Sequence, residues 1–464
     1  MMAAAARADR RPLATLCAGL APALSAAAAI DGLALDSRRV TPGAGFVALA
    51  GSRGHGLDYL VEALDAGAAA VLHDADDPRW DETMAARCRA AGATAVAIPA
   101  LAQRLGTIAA RLYDEPGRAL ESVVAVTGTD GKTSVSHFVA AMLDEPDARA
   151  GVLGTLGQGP LGAVSEAGLT TPDAIGLQAA LAALAGRGVR RLALEASSHG
   201  LAQHRLDGTR IDVAVLTQLG RDHLDYHADE AAYAAAKARL FHWPGLQAAV
   251  LNADDALGRS LAGELDPAVR VLTYGRRAGD LRIGRVWPEP AGLRFELRVG
   301  GETRTLAAPL IGAFNVDNLV AACGALMALG HSPSAFAERV ARVRPVPGRM
   351  EPFTAPGRAT VVVDYAHNAG SLAAALAALR AHVAGRVWCI FGAGGERDRG
   401  KRPLMAAAAA AAADRLIVTD DNPRHEDPDA IVAEILAGLP DRQAALVERD
   451  RERALATALE QAAA

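Results

Sequence analysis

Residues 123–134 read VVAVTGTDGKTS. The β-branched, apolar run Val123, Val124 and Val126 has the pattern of a strand buried in a parallel sheet. Gly128 and Gly131 turn the chain, and a helix is expected to open near Lys132. A strand, a glycine turn and a helix with Lys-Thr at its start make a phosphate cradle. Backbone N–H groups and the positive end of the helix dipole then face the anion. Lys132 would reach the β/γ-phosphates of a nucleotide, and the Thr133 hydroxyl would ligate Mg²⁺. The standard pattern G-x-x-x-x-G-K-[ST] asks for glycine where Val126 stands, so the match is partial.

On both sides of this loop the chain alternates strands and helices. RRLALEAS (190–197), DVAVLTQ (212–218) and AAVLNADD (248–255) read as further strands. Such alternation means a mainly parallel sheet with helices on both faces, an α/β fold. Residues 281–310 break the pattern with hairpin-like alternation, and Asn315–Leu329 reads as a helix. Before the loop, LDSRRVTPGAGFVALAG (35–51) reads strand, turn, strand, Tyr59–Ala69 reads as a helix, and AAAVLHD (68–74) holds another strand. The Ala/Leu-rich stretch after Arg7, Arg10 and Arg11 reads as a first helix rather than a signal peptide. PVPGR (345–349) punctuates the chain as a linker. Beyond it, residues 359–367, 386–395 and 414–424 read as three more buried strands, and Ala406–Ala413 as a helix. Three blocks result: 1–118, 119–343 and 344–464. In an open α/β sheet, ligands bind beyond the carboxyl ends of the strands.

The chain has 464 residues, 51% of them hydrophobic and 22% charged, which suits a globular protein with several cores. A net charge of −5 argues against general nucleic-acid or anionic-membrane binding. Cys17, Cys88, Cys323 and Cys389 lie far apart, which suits a reducing compartment and neither a disulfide scaffold nor a zinc site. No run of about 18 strongly apolar residues reads as a membrane span.

Further stretches carry chemistry. LALEASSHGLAQHR (192–205) puts Glu195 at a strand end beside the phosphate loop, where Mg²⁺ prefers carboxylate and phosphate oxygens. Ser197, Ser198, His199, Gln203, His204 and Arg205 follow it. TQLGRDHLDYH (217–227) gathers Asp222, His223, Asp225 and His227. No nucleophile elbow and no H-E-x-x-H accompany them, which leaves a divalent-metal site serving phosphates or a polar surface loop. On AAYAAAKARLF (231–241), Tyr233, Lys237 and Phe241 share one helical face. The ordinary reading of Lys237 is a side chain that snorkels to solvent. The alternative is a partly buried amine that loses its charge and becomes open to modification. The third block offers Asp364, Tyr365 and His367, then GAGGERDRGKRP (392–403) and DDNPRHEDP (420–428). Arg397 and Arg424 could form bidentate grips on a carboxylate. Arg399 and Arg402 read as solvated surface arginines.

With these pieces in order the chain resembles a Mur ligase, the family of ATP-dependent amino-acid ligases of bacterial peptidoglycan synthesis. TGTDGKT (127–133), SSHGL (197–201), RDHLDYH (221–227) and GRME (348–351) carry the likeness, with Asp130 where the family has Asn. It is nearest to the branch that adds the third residue to UDP-N-acetylmuramoyl-L-alanyl-D-glutamate. The resemblance implies three domains: a small α/β N-terminal domain, a central P-loop-type ATPase domain and a Rossmann-like C-terminal domain. The first would hold the uridine nucleotide near Leu35, Ser37, Ser52, Arg53 and Gly54. ATP would lie on Gly128, Thr129, Asp130, Gly131, Lys132, Thr133 and Ser134, with Asn315 near the adenine and Arg349 and Asp364 in contact. The muramoyl-dipeptide would lie on Thr170, Thr171, Ser197, Gln203 and Arg205. Thr133 and Glu195 would ligate one Mg²⁺. Glu195, His223 and a Lys237 carbamylated by CO₂ would serve a second. Meso-diaminopimelate would be held by Arg397 and by Asp421, Asn422, Pro423 and Arg424.

The chemistry implied is attack of the D-glutamate carboxylate on the γ-phosphate of ATP, followed by attack of the incoming amine on the acyl phosphate. Lys132, Glu195, His223 and Lys237 would carry it, in a cytoplasmic monomer. Arg424 would repel the ammonium of L-lysine, which disfavours the lysine-adding branch. A folylpolyglutamate synthase-like ligase shares the chemistry but not the LDSRRVTPG block. A nucleotide-binding protein without ligase activity is the rival from another class. Leu169 stands where the family often has Asn, and VDYAHNAGSL (363–372) replaces its His-x-Pro-Asp. The family also continues past residue 464 into a Gly-Lys-Gly-His-Glu stretch, so the expectation is a truncated third domain.

Overall fold

The computed structural model describes residues 9–21, 28–51, 54–166, 168–224, 226–441 and 444–462. The chain forms two compact units. One runs to Tyr274 and takes in Ala321–His331; the other holds Gly275–Val320 and the chain from Ser332 on.

The first unit opens with a short antiparallel pair, β1 (Arg11–Pro12) and β2 (Ala29–Ile30). A four-stranded parallel sheet follows, in the order β3 (Leu33–Ala34), β4 (Gly45–Ala48), β5 (Ala70–Asp74), β6 (Thr94–Ile98). The Ala/Leu-rich first helix is a single turn, Leu13–Leu16, and residues 22–27 lie outside the described residues. The strand expected from Leu35 ends at Ala34. Asp36 takes the Arg38 amide on its carboxylate at 3.0 Å and starts a 3₁₀ turn at Ser37–Arg39, so a local side-chain bond competes with extension. The helix expected over Tyr59–Ala69 is shorter, Leu60–Asp65, and ends before Gly67 at φ 88°.

The main sheet of this unit is built from β7 (Ser122–Thr127), β8 (Arg149–Gly154), β9 (Gly157–Pro160), β10 (Val189–Glu195), β11 (Val213–Leu216), β12 (Ala248–Asn252) and β13 (Arg270–Gly275). Their spatial order is β13-β12-β11-β7-β10-β8-β9, all parallel but β9. β7 is central, and Val123, Val124, Ala125 and Val126 are all 0% exposed. A strand covered on both faces needs this continuous apolar run, and each buried valine contributes roughly 1.5–3 kcal/mol. The parallel order brings the carboxyl ends of β7, β8, β10 and β11 to one edge.

The second unit contains the antiparallel meander β14 (Leu281–Glu289), β15 (Gly292–Val299) and β16 (Glu302–Ala308), as its alternation predicts. The strand expected over 359–367 is not part of a buried parallel sheet. Only β18 (Val361–Val363) forms, antiparallel to β17 (Glu351–Phe353), in a half-exposed ribbon. β19 (Trp388–Phe391), β20 (Arg415–Val418) and β21 (Ala445–Val447) make a parallel sheet, the last unannounced by any long apolar run. Helix Lys401–Ala412 confirms the alanine-rich reading. Among the described residues no helix is long and apolar enough to cross a membrane.

Candidate active site

The phosphate loop closes as its sequence predicts. Helix Lys132–Leu143 begins at the expected lysine, after Gly131 in left-handed backbone. Gly128 has φ +146°, and a Cβ there would lie 1.8 Å from Thr217 Oγ1, so only glycine fits. The loop is pinned to the tail of β11. Thr129 N–H donates to Gln218 O at 2.7 Å, and the Thr217 hydroxyl donates to Asp130 O at 2.6 Å. Asp130 accepts from Gln218 Nε2 at 3.0 Å, a role an asparagine oxygen fills equally. Lys132 Nζ donates to Gly128 O at 2.9 Å and Thr129 O at 2.8 Å. Thr133 and Ser134 are buried in the first helical turn.

Glu195 ends β10, where its backbone pairs with Val126, two residues before Gly128. It is 1% exposed. Thr155, just after β8, holds both carboxylate oxygens: its N–H donates to Oε1 at 2.9 Å and its hydroxyl to Oε2 at 3.0 Å. Because the Thr155 proton is committed, the 3.0 Å contact between Thr155 and Thr170 hydroxyls runs from Thr170 to Thr155. Thr171 donates to Glu195 O at 2.8 Å and accepts from Ser197 N–H at 3.1 Å. Arg205 donates to Thr171 O at 2.8 Å and to Gln203 Oε1 at 2.6 Å, and Gln203 donates to Tyr226 OH at 3.0 Å. Thus Thr170, Thr171, Ser197, Gln203 and Arg205 form one polar surface continuous with Glu195. Thr155 was not singled out from sequence. Its place directly after a strand end is the signal that marks it.

Lys237 does not snorkel. It is 1% exposed, donates to Gly128 O at 2.7 Å and lies 4.5 Å from the centroid of the Tyr233 ring. Burial above all, with Lys132 beside it, pushes its pKa down to about 6. Among the described residues no carboxylate pairs with it. The helix Glu230–Ala238 turns the apolar Tyr233–Phe241 stripe inward, and Lys237 goes with it. Tyr233 OH lies 3.0 Å from Thr129 Oγ1, and burial pushes its hydroxyl up to about 12. His199, His223, Tyr226 and His227 cluster alongside, edge-on or tilted to one another: His199 lies 4.9 Å from His223, 4.2 Å from Tyr226 and 5.7 Å from His227 between ring centroids. His223 is exposed, at φ 54°. Asp225 lies outside the described residues.

The donors suit Mg²⁺ rather than a softer ion: the Thr133 hydroxyl and the Glu195 carboxylate are hard oxygens. Among the described residues no three His, Cys, Asp or Glu side chains form a ready-made cage.

In the N-terminal part of this unit, Ser37 is buried and donates to Glu62 Oε2 at 3.0 Å, Leu35 is half-buried, and Gly54 O accepts the Gly51 amide at 2.8 Å. Ser52 and Arg53 lie outside the described residues.

The second unit carries the remaining candidates. Asn315 is buried, donating to Ile311 O at 2.8 Å and accepting from Asn318 at 3.1 Å. The Arg349 guanidinium lies 4.7 Å from the Tyr365 ring centroid, and Asp364 accepts the Met350 and Ala366 amides, both at 2.9 Å. After β19 and β20, two loops pack together. Gly395 N–H donates to Asn422 O at 2.9 Å, and Arg424 donates to Gly395 O. Asp421 accepts from the Asn422 amide at 2.7 Å, and a Cβ on Gly395 would lie 1.9 Å from Pro423 O. Arg397 is exposed. Arg402, expected at the surface, is 0% exposed and ion-paired to Glu426 and Glu434. Its charged partners lie 24 and 32 residues away, out of reach of a local reading. Arg399 is largely exposed, as expected, though paired with Glu434.

Three family models match: the Mur ligase catalytic domain over residues 29–113, the Mur ligase middle domain over 126–326 and the Mur ligase glutamate ligase domain over 348–464. A UDP-N-acetylmuramoyl-L-alanyl-D-glutamate–2,6-diaminopimelate ligase of Alkalilimnicola ehrlichii is 52% identical over 439 residues, covering 93% of this chain and 87% of the relative. The ligase of the same name from Xanthomonas campestris is 45% identical, covering 94% and 87%. A solved structure with that name superposes with a TM-score of 0.72 at 35% identity, covering 97% of this chain and 90% of the other.

Proposed function

This chain belongs to the Mur ligase family, and we propose that it is a MurE-type enzyme that joins meso-diaminopimelate to UDP-N-acetylmuramoyl-L-alanyl-D-glutamate at the expense of ATP. The observation that carries the reading is the closed loop at 128–134 with Glu195 held at the end of the adjacent strand. The same names on the relatives that cover most of the chain support the choice of substrates.

In this reading the chain divides into three domains near residues 118 and 343. The loop amides and Lys132 hold the ATP phosphates and neutralise charge as the γ-phosphoryl group moves. The D-glutamate carboxylate attacks the γ-phosphorus, the bond to the leaving ADP oxygen breaks, and an acyl phosphate forms. Thr170, Thr171, Ser197, Gln203 and Arg205 place that carboxylate. The amine of meso-diaminopimelate then attacks the acyl carbon, and phosphate leaves. Arg397 and the Asp421–Arg424 stretch hold the amino acid, with Arg424 on its distal carboxylate. Thr133 and Glu195 would hold one Mg²⁺, and Glu195, His223 and Lys237 would hold a second. Bound there, Mg²⁺ supplies positive charge to the phosphate oxygens.

Lys237 takes the second role as a carbamate. A buried amine whose pKa lies near 6 is largely neutral at pH 7, so its lone pair can attack CO₂. The N–C bond forms, a proton leaves, and a carboxylate replaces a suppressed cation. The enzyme works in the cytoplasm as a monomer.

The test is phosphate release with ATP, Mg²⁺ and UDP-N-acetylmuramoyl-L-alanyl-D-glutamate. Meso-diaminopimelate, L-lysine and no amino acid are compared. Release that depends on meso-diaminopimelate is expected. Equal release with all three, or none, overturns the reading.

A further inference from the structure

Arg402 is placed where helix stability does not ask for it. It lies in the first turn of helix Lys401–Ala412, where the helix dipole disfavours a cation. It is wholly buried, and its Nε–H has no acceptor among the described residues. A buried ion pair is weak as a stabiliser, since desolvation offsets its attraction. What it does well is fix geometry. Nη1 and Nη2 reach the two oxygens of Glu426, both at 2.7 Å, in a bidentate fork. Nη1 also reaches Glu434 Oε2 at 2.7 Å, which ties the fork to helix Pro428–Leu436.

The fork grips the loop after β19 twice. Nη2 donates to Gly394 O at 3.3 Å, and Glu426 Oε2 accepts the Glu396 amide at 3.0 Å. Between these points Gly395 is bonded to Asn422 and Arg424 of the other loop. Glu396 and Arg424 sit at φ 53° and 52°, left-handed conformations that persist only where the surroundings impose them. Each adjoins or is one of the two arginines assigned to the amino acid.

We propose that Arg402 and Glu426 are a positioning pair that sets the separation and aim of Arg397 and Arg424, and so the selection of meso-diaminopimelate over L-lysine. The proposal rests on the functional reading above. Neither residue touches substrate; they act through the 394–396 backbone.

The test is steady-state kinetics of Glu426→Gln, which keeps the shape of the side chain and removes its charge. KM for meso-diaminopimelate is expected to rise about tenfold, with kcat and the KM values for ATP and the UDP-substrate within about threefold. The preference over L-lysine should fall by about tenfold as well. Arg402→Lys keeps the charge without the fork and should shift the same KM if Glu426→Gln does not fold. Equal change in all three KM values, or a lowered melting temperature with KM unchanged, marks a merely structural pair and overturns the proposal. Wild-type release that ignores meso-diaminopimelate overturns the functional reading, and this one with it.

Discussion

The phosphate loop at 128–134 and the paired loops at 392–397 and 421–427 hold their candidate ligand groups by different means. The first is made of backbone. Its amides and carbonyls are fixed by neighbours a few residues away, by the tail of β11 and by Lys237, and its shape requires the lack of a side chain at Gly128. The second is made of charge. Two exposed arginines depend on loops pinned by a buried guanidinium and a carboxylate 24 residues from it. A backbone cradle tolerates changes of surface charge but not an added methyl group. A charge-built grip should behave the opposite way.

The largest test of that contrast is Gly128→Ala. The added carbon would overlap Thr217 Oγ1 and force a φ of +146° on an L-residue. Misplacing the loop by even about 1 Å should cost a hundredfold or more in ATP-dependent phosphate release, with a stability loss of roughly 1–3 kcal/mol in thermal melting. Retained activity would show that the loop is softer than its contacts imply.

Lys237→Met comes next. On the reading proposed above, loss of its carbamate should lower kcat by about a hundredfold or more. Stability should move the other way. Burial depresses the Lys237 pKa to about 6, so the unfolded chain binds a proton that the folded one refuses between pH 6 and about 10. The lysine therefore costs stability increasingly as pH falls through that window. In CO₂-free buffer the melting temperature of Lys237→Met should exceed wild type, with a larger gain at pH 6.5 than at pH 9. A gain that is flat across pH would mean that Lys237 is not a suppressed cation.

Glu426→Gln, described above, occupies the middle of the scale. Asp130→Asn should do least. Among the described residues its carboxylate accepts a hydrogen bond from Gln218, and an amide oxygen can do the same, so KM for ATP should stay within about twofold. A larger change would show that the charge at 130 itself contacts the nucleotide.

Much of this molecule was readable before folding. The valine run of β7, the glycine turn and the start of helix Lys132–Leu143 are consecutive in the chain, so period and turn chemistry reveal them. Glu195 was marked by its place at a strand end. Local reading failed where a partner is distant. Arg402 is such a case, expected at the surface because Glu426 and Glu434 lie 24 and 32 residues away; at Lys237 burial decides between the snorkelling side chain and the modifiable amine that the sequence left open. At residues 35–36 the cause is local instead, an Asp36 turn that shortens β3, and the 359–367 stretch forms the half-exposed ribbon of β17 and β18. Residue type sets the usual location of a lysine or arginine, but the surrounding elements set the actual one.

The sequence by itself therefore determined the α/β class, the phosphate loop and the family, because each is written in contiguous residues. Only the tertiary structure decided that Lys237 is a buried amine on the Gly128 carbonyl, that Thr155 holds Glu195, and that Arg402 is buried on Glu426 and Glu434. Those depend on desolvation and on contacts between residues far apart in the chain, and burial is a property of the fold before it is a property of any residue.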